Sequence, residues 1–209
     1  MSNKAFTTDE LAWHAWLRPV DPATGTAEQR EVIESSVWPN SPYFRLLAWH
    51  PAALEARTAL DQAVFIDRPG LRRGERELAA TTVSRINGCV MCTSVHARFT
   101  MTFTKKEEPV RRLIEEGVET DLDARWRAIV DAAAALTAVP NRFGSHHVDA
   151  LRSTGMELTE VLDVVQSSAF FAWANRLMLS LGEHSHPDER DAAAIADQQD
   201  LDSRAVAGI

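Results

Sequence analysis

One stretch of the chain contains both cysteines and a histidine in a largely apolar setting. Asn87-Gly88 within it is a pair that typically ends a helix, so the sequence predicts one helix before this pair and a second that begins at Cys89. On the second helix, Cys89, Cys92 and His96 stand at positions i, i+3 and i+7. At about 100° per residue these positions fall within a stripe roughly 60° wide. The three side chains are therefore expected on one face of one helix.

This stripe is expected to face the interior, because Phe99 and Phe103 fall near it. A cysteine at the start of a helix feels the positive end of the helix dipole, which favours the thiolate. A histidine one turn further along can accept the proton of a thiol or return it. The arrangement therefore indicates thiol redox chemistry.

Three alternatives to thiol redox chemistry are weaker. Packing would account for any one of these residues, but less readily for all three on one stripe. A structural zinc site needs four ligands, and no second Cys/His pair stands at finger spacing. Covalent haem attachment would need a histidine directly after Cys92, where the chain has Thr93.

The composition limits the classes of protein to which the chain can belong. With 209 residues, 45% of them hydrophobic, the chain can form one domain, or one domain and a substantial arm. A net charge of −8 argues against nucleic acid or an anionic membrane as a partner. No apolar run approaches the roughly 20 residues that span a bilayer, and residues 1–7 lack the apolar core of a secretion signal. The two cysteines at CxxC spacing fit a reducing compartment, so we expect a cytoplasmic protein.

The periodicity of apolar residues predicts an all-α fold, a compact bundle of about eight helices with an N-terminal arm. Residues 1–40 are predicted to be an arm or extension, residues 41–187 the helical domain, and residues 188–209 a C-terminal helix or tail. Helices are predicted over residues 28–37, from 43, from Pro51 to a stop at Arg68-Pro69-Gly70, over 71–86 and 89–103, between 107 and 117, between 123 and 140, and from about 157 to 182.

In the arm, Thr8-Asp9-Glu10 is predicted to cap a short helix that carries Trp13 and Trp16. No β-alternation of useful length is present anywhere in the chain.

Five further histidines are weak candidates for ligands. His14 stands between two tryptophans, and an arm that anchors its aromatic residues is the simpler interpretation. His146 and His147 are adjacent, and adjacent helix residues point about 100° apart, so surface or capping roles are expected. His184 and His186 are predicted to lie in a turn, and their spacing is weak evidence for a metal. No metal site is predicted.

The stretch around the cysteines resembles the carboxymuconolactone decarboxylase superfamily, and within it the AhpD-like alkylhydroperoxidases. The signature of these proteins is a glutamate, a spacer and then Cys-x-x-Cys-x-x-x-His. Here Glu77 stands 12 residues before Cys89, whereas Glu75 is out of register by two. The best match covers about residues 71–103, and a looser one covers residues 155–177.

The resemblance implies a thiol-dependent peroxidase that reduces organic hydroperoxides or hydrogen peroxide. In such an enzyme Cys92 would be the peroxidatic thiol, activated by His96, and Cys89 would be the resolving thiol, open to an external reductant. Glu77 would orient His96 or relay protons through it. The implied redox group is a Cys89–Cys92 disulfide that an external dithiol reduces, with no other cofactor.

The same resemblance places Asn87, and Asn175 or Arg176, near the pocket. Some members of the family carry a histidine between the two cysteines, where this chain has Val90-Met91. A proton-relay role for that histidine is therefore not carried over.

The resemblance further implies a homo-oligomer, trimeric or hexameric, that binds a small hydroperoxide and a dithiol electron donor. Two alternatives to the peroxidase stay open at this point. One is a redox-sensing or stress-associated protein whose dithiol switches its assembly. The other is an enzyme of the carboxymuconolactone decarboxylase type, whose chemistry does not need the cysteine pair.

Overall fold

The computed structural model describes residues 6–66 and 70–187. Over these residues the chain forms nine α-helices and one two-stranded antiparallel sheet, which confirms the predicted all-α class. The helices are α1 Ala27–Glu34, α2 Pro42–Leu47, α3 Pro51–Asp61, α4 Arg73–Asn87, α5 Val90–Thr104, α6 Glu107–Glu116, α7 Ala124–Thr137, α8 Ser145–Ser153 and α9 Leu158–Leu181. The strands are β1 Ala12–Ala15 and β2 Gly182–Ser185. A π-helical turn, Gln62–Ile66, directly follows α3. None of the helices in the described ranges is long and apolar enough to cross a membrane.

Local signals in the sequence set several of the helix ends. Pro51 occupies the first turn of α3, where its missing N–H costs no hydrogen bond. The hydroxyl of Thr26 accepts from the backbone N–H of Gln29, and the side-chain oxygen of Gln29 accepts from that of Thr26. Asp123 caps α7 by accepting from the backbone N–H of Trp126 at 2.9 Å. These ends were predictable because the capping atoms lie within a few residues of the helix that they cap.

The chain divides into two compact units. The dithiol unit comprises residues 1–9 and 64–177, and the flanking unit comprises residues 10–63 and 178–209. The predicted division into arm, domain and tail stays a prediction. Its tail, residues 188–209, and the predicted helix stop at Arg68-Pro69 lie outside the described residues.

The core of the dithiol unit lies where α4 packs against α5 and α7. Leu78 and Val83 of α4 are fully buried, as are Ile129 and Val130 of α7. Burying a side chain of this size typically stabilises a fold by about 1.5–3 kcal/mol. The helix on which Glu77 lies is thus held on two sides by apolar packing.

A close approach between α4 and α5 depends on Gly74. A Cβ atom at this position would lie 2.3 Å from Cγ2 of Thr104 and 3.2 Å from Cβ of Phe103. The bare backbone of Gly74 therefore lets the first turn of α4 lie against the last turn of α5. Glu77 follows three residues later, so its distance from α5 is set partly by this contact.

The flanking unit contains the only sheet among the described residues, and it corrects two predictions. β1 and β2 pair with Trp13 opposite His184. Residues 12–15 are thus a strand and not part of a helix carrying Trp13 and Trp16, and His184 lies in a strand and not in a turn. The two strands lie about 170 positions apart in the chain, so no local sequence pattern predicts that they pair. Trp13 is buried and packs edge-on against Tyr43 at 5.6 Å between ring centroids, whereas Trp16 is exposed.

Candidate dithiol active site

The turn between α4 and α5 has the geometry that the Asn-Gly pair predicts. Gly88 follows the last residue of α4 with φ of 73°, in the left-handed region that glycine adopts without strain. Its N–H points back to the carbonyls of Ser84 and Arg85. Cys89 then has extended backbone angles and is the N-cap of α5, and its own N–H donates to the carbonyl of Ser84 at 3.0 Å. The turn therefore fixes Cys89 at the positive end of the α5 dipole.

The two cysteines are thiols, not joined by a disulfide, and their sulfurs lie 3.0 Å apart. Both residues are buried, Cys89 with 2% and Cys92 with 8% of its surface exposed. The expectation that Cys89 is open to an external reductant is therefore not met, because it is the more buried of the two. The i, i+3 spacing of the two cysteines does bring their sulfurs together, as predicted.

Glu77 reaches His96 from the neighbouring helix. Nδ1 of His96 lies 2.5 Å from Oε2 of Glu77, and the carboxylate is fully buried. An ionised carboxylate can only accept a hydrogen bond, so Nδ1 carries the proton and donates it. The other ring nitrogen, Nε2, is then the one that can take a proton from a thiol. The structure thus joins two of the four predicted site residues directly.

Arg73 holds the second oxygen of the same carboxylate. Its Nε donates to Oε1 of Glu77 at 2.5 Å. Burial by itself raises the pKa of Glu77, but the charge of Arg73, the charge that His96 carries when it is protonated, and the hydrogen bonds from both outweigh it. The pKa of Glu77 consequently lies below its ordinary value of 4.5, and the group is a carboxylate at neutral pH. Arg73 was not among the predicted site residues, although its i, i+4 spacing to Glu77 was a signal that could have found it.

Aromatic side chains surround the imidazole. The ring of Phe171 packs against His96 with 4.1 Å between centroids and an angle of 66°. Phe65 and Phe99 lie at 6.1 Å each. Phe99 is buried, as the stripe predicted. The rings help to enclose the imidazole, and 11% of the His96 side chain is exposed. Charge interactions in such an enclosed site are stronger than they would be in solvent.

A polar network holds the end of α4 against α9. The amide of Asn87 donates to Oδ1 of Asn175 at 3.1 Å, and the amide of Asn175 donates to Oγ of Ser84 at 3.1 Å. Asn175 and Ser84 are fully buried. Arg176, the other candidate at this end of α9, is exposed and donates to the carbonyl of Ala172 on its own helix. Of the two, Asn175 is therefore the residue next to the turn that carries Cys89.

The remaining candidates lie outside this arrangement. Glu75, the acid out of register, forms a double hydrogen bond with Arg125 at 2.6 and 3.0 Å. His147 accepts from the backbone N–H of Gly144 at 3.1 Å and so caps α8, in agreement with the predicted capping role.

The other four weak candidates are surface residues. His14 contacts Oγ of Ser185 at 2.7 Å, while His146, His184 and His186 are exposed. Within the described ranges, no three residues of the types His, Cys, Asp and Glu are grouped so that they could hold a metal ion.

Comparison with known proteins agrees with the resemblance seen in the motif. Residues 51–135, which include all four predicted site residues, match the carboxymuconolactone decarboxylase family. No curated protein matches the sequence.

Two solved structures of peroxidase-related proteins share the fold. One is an alkylhydroperoxidase AhpD core protein from Ralstonia eutropha JMP134, with a TM-score of 0.68, 23% identity, and coverage of 80% of this chain and 90% of the other. The second is an uncharacterized peroxidase-related protein from Silicibacter sp. TM1040, with a TM-score of 0.59, 26% identity, and coverage of 66% of this chain and 72% of the other.

The debrominase Bmp8 also shares the fold. Its apo structure gives a TM-score of 0.63 at 16% identity over 90% of this chain and 98% of the other. A cysteine-to-alanine variant of the same debrominase has been solved in complex with 2,3,4-tribromopyrrole.

Proposed function

From a chain whose residues 51–135 match the carboxymuconolactone decarboxylase family, we propose a thiol-dependent peroxidase that reduces organic hydroperoxides or hydrogen peroxide. One observation carries the proposal: two thiols 3.0 Å apart precede, on the same helix, a histidine that a buried carboxylate orients. Peroxide reduction by a dithiol needs these parts, a nucleophilic sulfur, a second sulfur within reach and a group that moves a proton.

In the first step, Nε2 of His96 takes the proton of the Cys92 thiol. The thiolate attacks one oxygen of the peroxide, the O–O bond breaks, and a Cys92 sulfenic acid forms. The leaving alkoxide or hydroxide takes the proton back from His96 and departs as an alcohol or as water. Cys92 has this role because it lies one helical turn before His96, whereas Cys89 lies two turns before it.

In the second step, Cys89 resolves the sulfenic acid. Its sulfur attacks Sγ of Cys92, an S–S bond forms, and the hydroxyl leaves as water with the proton of the Cys89 thiol. The dithiol has then lost two electrons, the number that reduces one peroxide. An external dithiol restores both thiols by two exchange reactions and is itself oxidised to a disulfide.

The environment of the site supports this chemistry. Cys89 begins α5, so the dipole of that helix favours negative charge on the thiol at its start. Glu77 accepts from Nδ1 of His96, which leaves Nε2 as the proton acceptor.

A multiple-turnover assay tests the proposal. Peroxide and a dithiol such as dihydrolipoamide are incubated with a small fraction of an equivalent of protein, and peroxide loss is followed. The peroxidase consumes many equivalents of peroxide per chain, and Cys92→Ser consumes none. A redox switch would form the same disulfide but stop after one equivalent, and that result would overturn the proposal. Adding 2,3,4-tribromopyrrole as a further substrate tests whether this dithiol removes bromine instead.

A further inference from the structure

Arg73 and His96 bind the two oxygens of one buried carboxylate. Nε of Arg73 lies 2.5 Å from Oε1 of Glu77, and Nδ1 of His96 lies 2.5 Å from Oε2. We propose that Arg73 is a positioning residue of the dithiol site, which acts through Glu77 to keep His96 neutral and ready to take the proton of Cys92. The inference rests on the proposed function for its catalytic meaning, but the charge relationship that it describes can be measured without peroxide.

Glu77 is a buried carboxylate that needs a partner of opposite charge. No part of this side chain is exposed, and an isolated buried carboxylate is costly because it has lost its hydration. Two partners offset this cost. Arg73 carries a permanent charge, whereas His96 is charged only when protonated. Arg73 is therefore the partner that can neutralise Glu77 at every pH at which the enzyme works.

The guanidinium of Arg73 is held in place by aromatic rings. It lies 5.2 Å from the centroid of Phe103, 5.8 Å from that of Phe99 and 5.9 Å from that of Phe65. A cation over aromatic faces is attracted by their negative charge density. About 20% of the Arg73 side chain is exposed, so the position is mostly enclosed. Arg73 is thus a fixed charge and not a mobile surface side chain.

The charge of Arg73 determines whether His96 can stay neutral. With Arg73 present, the Arg73–Glu77 pair is neutral, and His96 can remain neutral with its proton on Nδ1. Without Arg73, the site contains one buried negative charge. The least costly way to neutralise that charge is to bind a proton, shared between Glu77 and His96. His96 would then already be protonated when Cys92 must give up its own proton.

The charged groups that lower the pKa of Glu77 are Arg73 and His96. The Cys92 thiol lies one turn before His96 on α5. The rings of Phe65, from the π-helical turn, and of Phe171, from α9, also pack on His96, and neither ring titrates. Removing the charge of Arg73 should therefore change the number of protons that Glu77 and His96 together bind at a given pH.

The experiment compares Arg73→Gln, which keeps a hydrogen-bond donor but removes the charge, with Arg73→Lys, which keeps the charge. Arg112→Gln is the matched control, because half-buried Arg112 also contacts an acid four residues away, and that acid, Glu108 of α6, is exposed. The Glu77 carboxyl and His96 ring resonances are followed by NMR against pH. They are assigned from their loss in Glu77→Gln and His96→Gln.

We expect proton uptake by the pair to move to higher pH by about one to three units in Arg73→Gln, the usual effect of an adjacent opposite charge. Arg73→Lys should restore most of the wild-type titration, and Arg112→Gln should not change it. In single-turnover reaction with peroxide, the acid limb of the pH profile should move in the same direction. A folded Arg73→Gln variant that titrates at the wild-type pH would overturn the proposal.

A second variant covers the case in which Arg73→Gln does not fold. The double variant Arg73→Gln with Glu77→Gln removes both charges, so it should fold if neutralisation of Glu77 is what Arg73 supplies. Failure of both variants to fold would show that Arg73 is needed for packing, and the proposal would be wrong. If the titration moves as expected but no peroxide is consumed, the charge relationship stands and the peroxidase assignment fails.

Discussion

Asn87, the last residue of α4, donates a hydrogen bond to Asn175 of α9, 88 positions later in the chain. Asn175 in turn donates to Ser84, whose carbonyl accepts from the backbone N–H of Cys89. These hydrogen bonds connect the turn that carries Cys89 to α9, a helix that contributes no thiol. The position of Cys89 therefore depends on the packing of α9.

Replacing Asn175 with alanine should weaken the connection between this turn and α9, because it removes both hydrogen bonds of the Asn175 side chain. The change leaves Asn87 and Ser84 without their partner, and an unsatisfied buried polar group costs about 1–3 kcal/mol. The free energy of unfolding, measured with urea, should fall by that amount, and closure of the disulfide should slow while the first attack by Cys92 does not. Gln166→Ala, an exposed change on the same helix, is the control. A variant with unchanged stability would show that the network is not needed to hold the turn.

Treatment with peroxide should produce an intrachain Cys89–Cys92 disulfide. The sulfurs lie 3.0 Å apart at the start of a helix, where small movements let them bond. Mass spectrometry should show that the peptide carrying both cysteines has lost two hydrogens, and a dithiol should reverse the loss. Thiols that can still be alkylated after peroxide treatment would contradict the prediction.

Single substitutions should separate the roles of the two thiols. Cys92→Ser should abolish the reaction with peroxide, because an alcohol is too basic to replace a thiolate. Cys89→Ser should react once and stop as a Cys92 sulfenic acid. Stopped-flow measurement of thiol oxidation distinguishes the two outcomes, and a dead Cys89→Ser beside an active Cys92→Ser would reverse the assignment.

Replacing Glu77 or His96, the proposed proton-handling pair, should affect the reaction rate more than the fold. His96→Ala and Glu77→Gln should each slow the attack by about 10²–10⁴-fold, the usual contribution of one such group. The same stopped-flow measurement applies, with circular dichroism to show that each variant is folded. Normal rates in both variants would make the two residues structural.

The contribution of Glu77 to stability should depend on pH in one direction. Its pKa in the folded protein is lower than the ordinary value of 4.5, so the folded state favours the ionised form. The contribution is therefore fully present above that value and is lost as pH falls through the lower, folded pKa. The difference in unfolding free energy between wild type and Glu77→Gln should shrink below pH 4.5. A difference that stays constant with pH would mean that folding does not change the pKa of Glu77, and a difference that grows as pH falls would mean that folding raises it.

How much of the site the sequence predicts depends on how far apart along the chain the contacting residues are. The Asn-Gly turn, the N-terminal position of Cys89 and the shared face of the thiols follow from helix geometry over a few residues. The contact of Glu77 with His96 crosses between helices, and only the family motif pointed to it. The partners of Asn175 and the burial of Cys89 depend on side chains from distant segments, which no local pattern specifies.

The same limit explains the largest error in the fold. Trp13 and Trp16 stand at helical spacing, and Thr8 precedes them as a good cap, so local preference favoured a helix. The segment instead pairs with residues 182–185, and tertiary context overrides a weak local preference. The predicted end of α4 and the predicted start of α5 lie within one residue of those in the structure, because the signals for them, Asn87 and Gly88, act on the adjacent backbone.

The spacing set by Gly74 has a consequence for recognising proteins of this kind. A search that checks only the glutamate, the cysteines and the histidine would accept a chain in which another residue replaced Gly74. In such a chain the added Cβ atom would meet Thr104 and Phe103, so the first turn of α4 or the last turn of α5 would have to shift. Because Glu77 follows one turn after Gly74, such a shift would act on the distance between its carboxylate and the imidazole of His96. A pattern for this site therefore includes a glycine three residues before the glutamate.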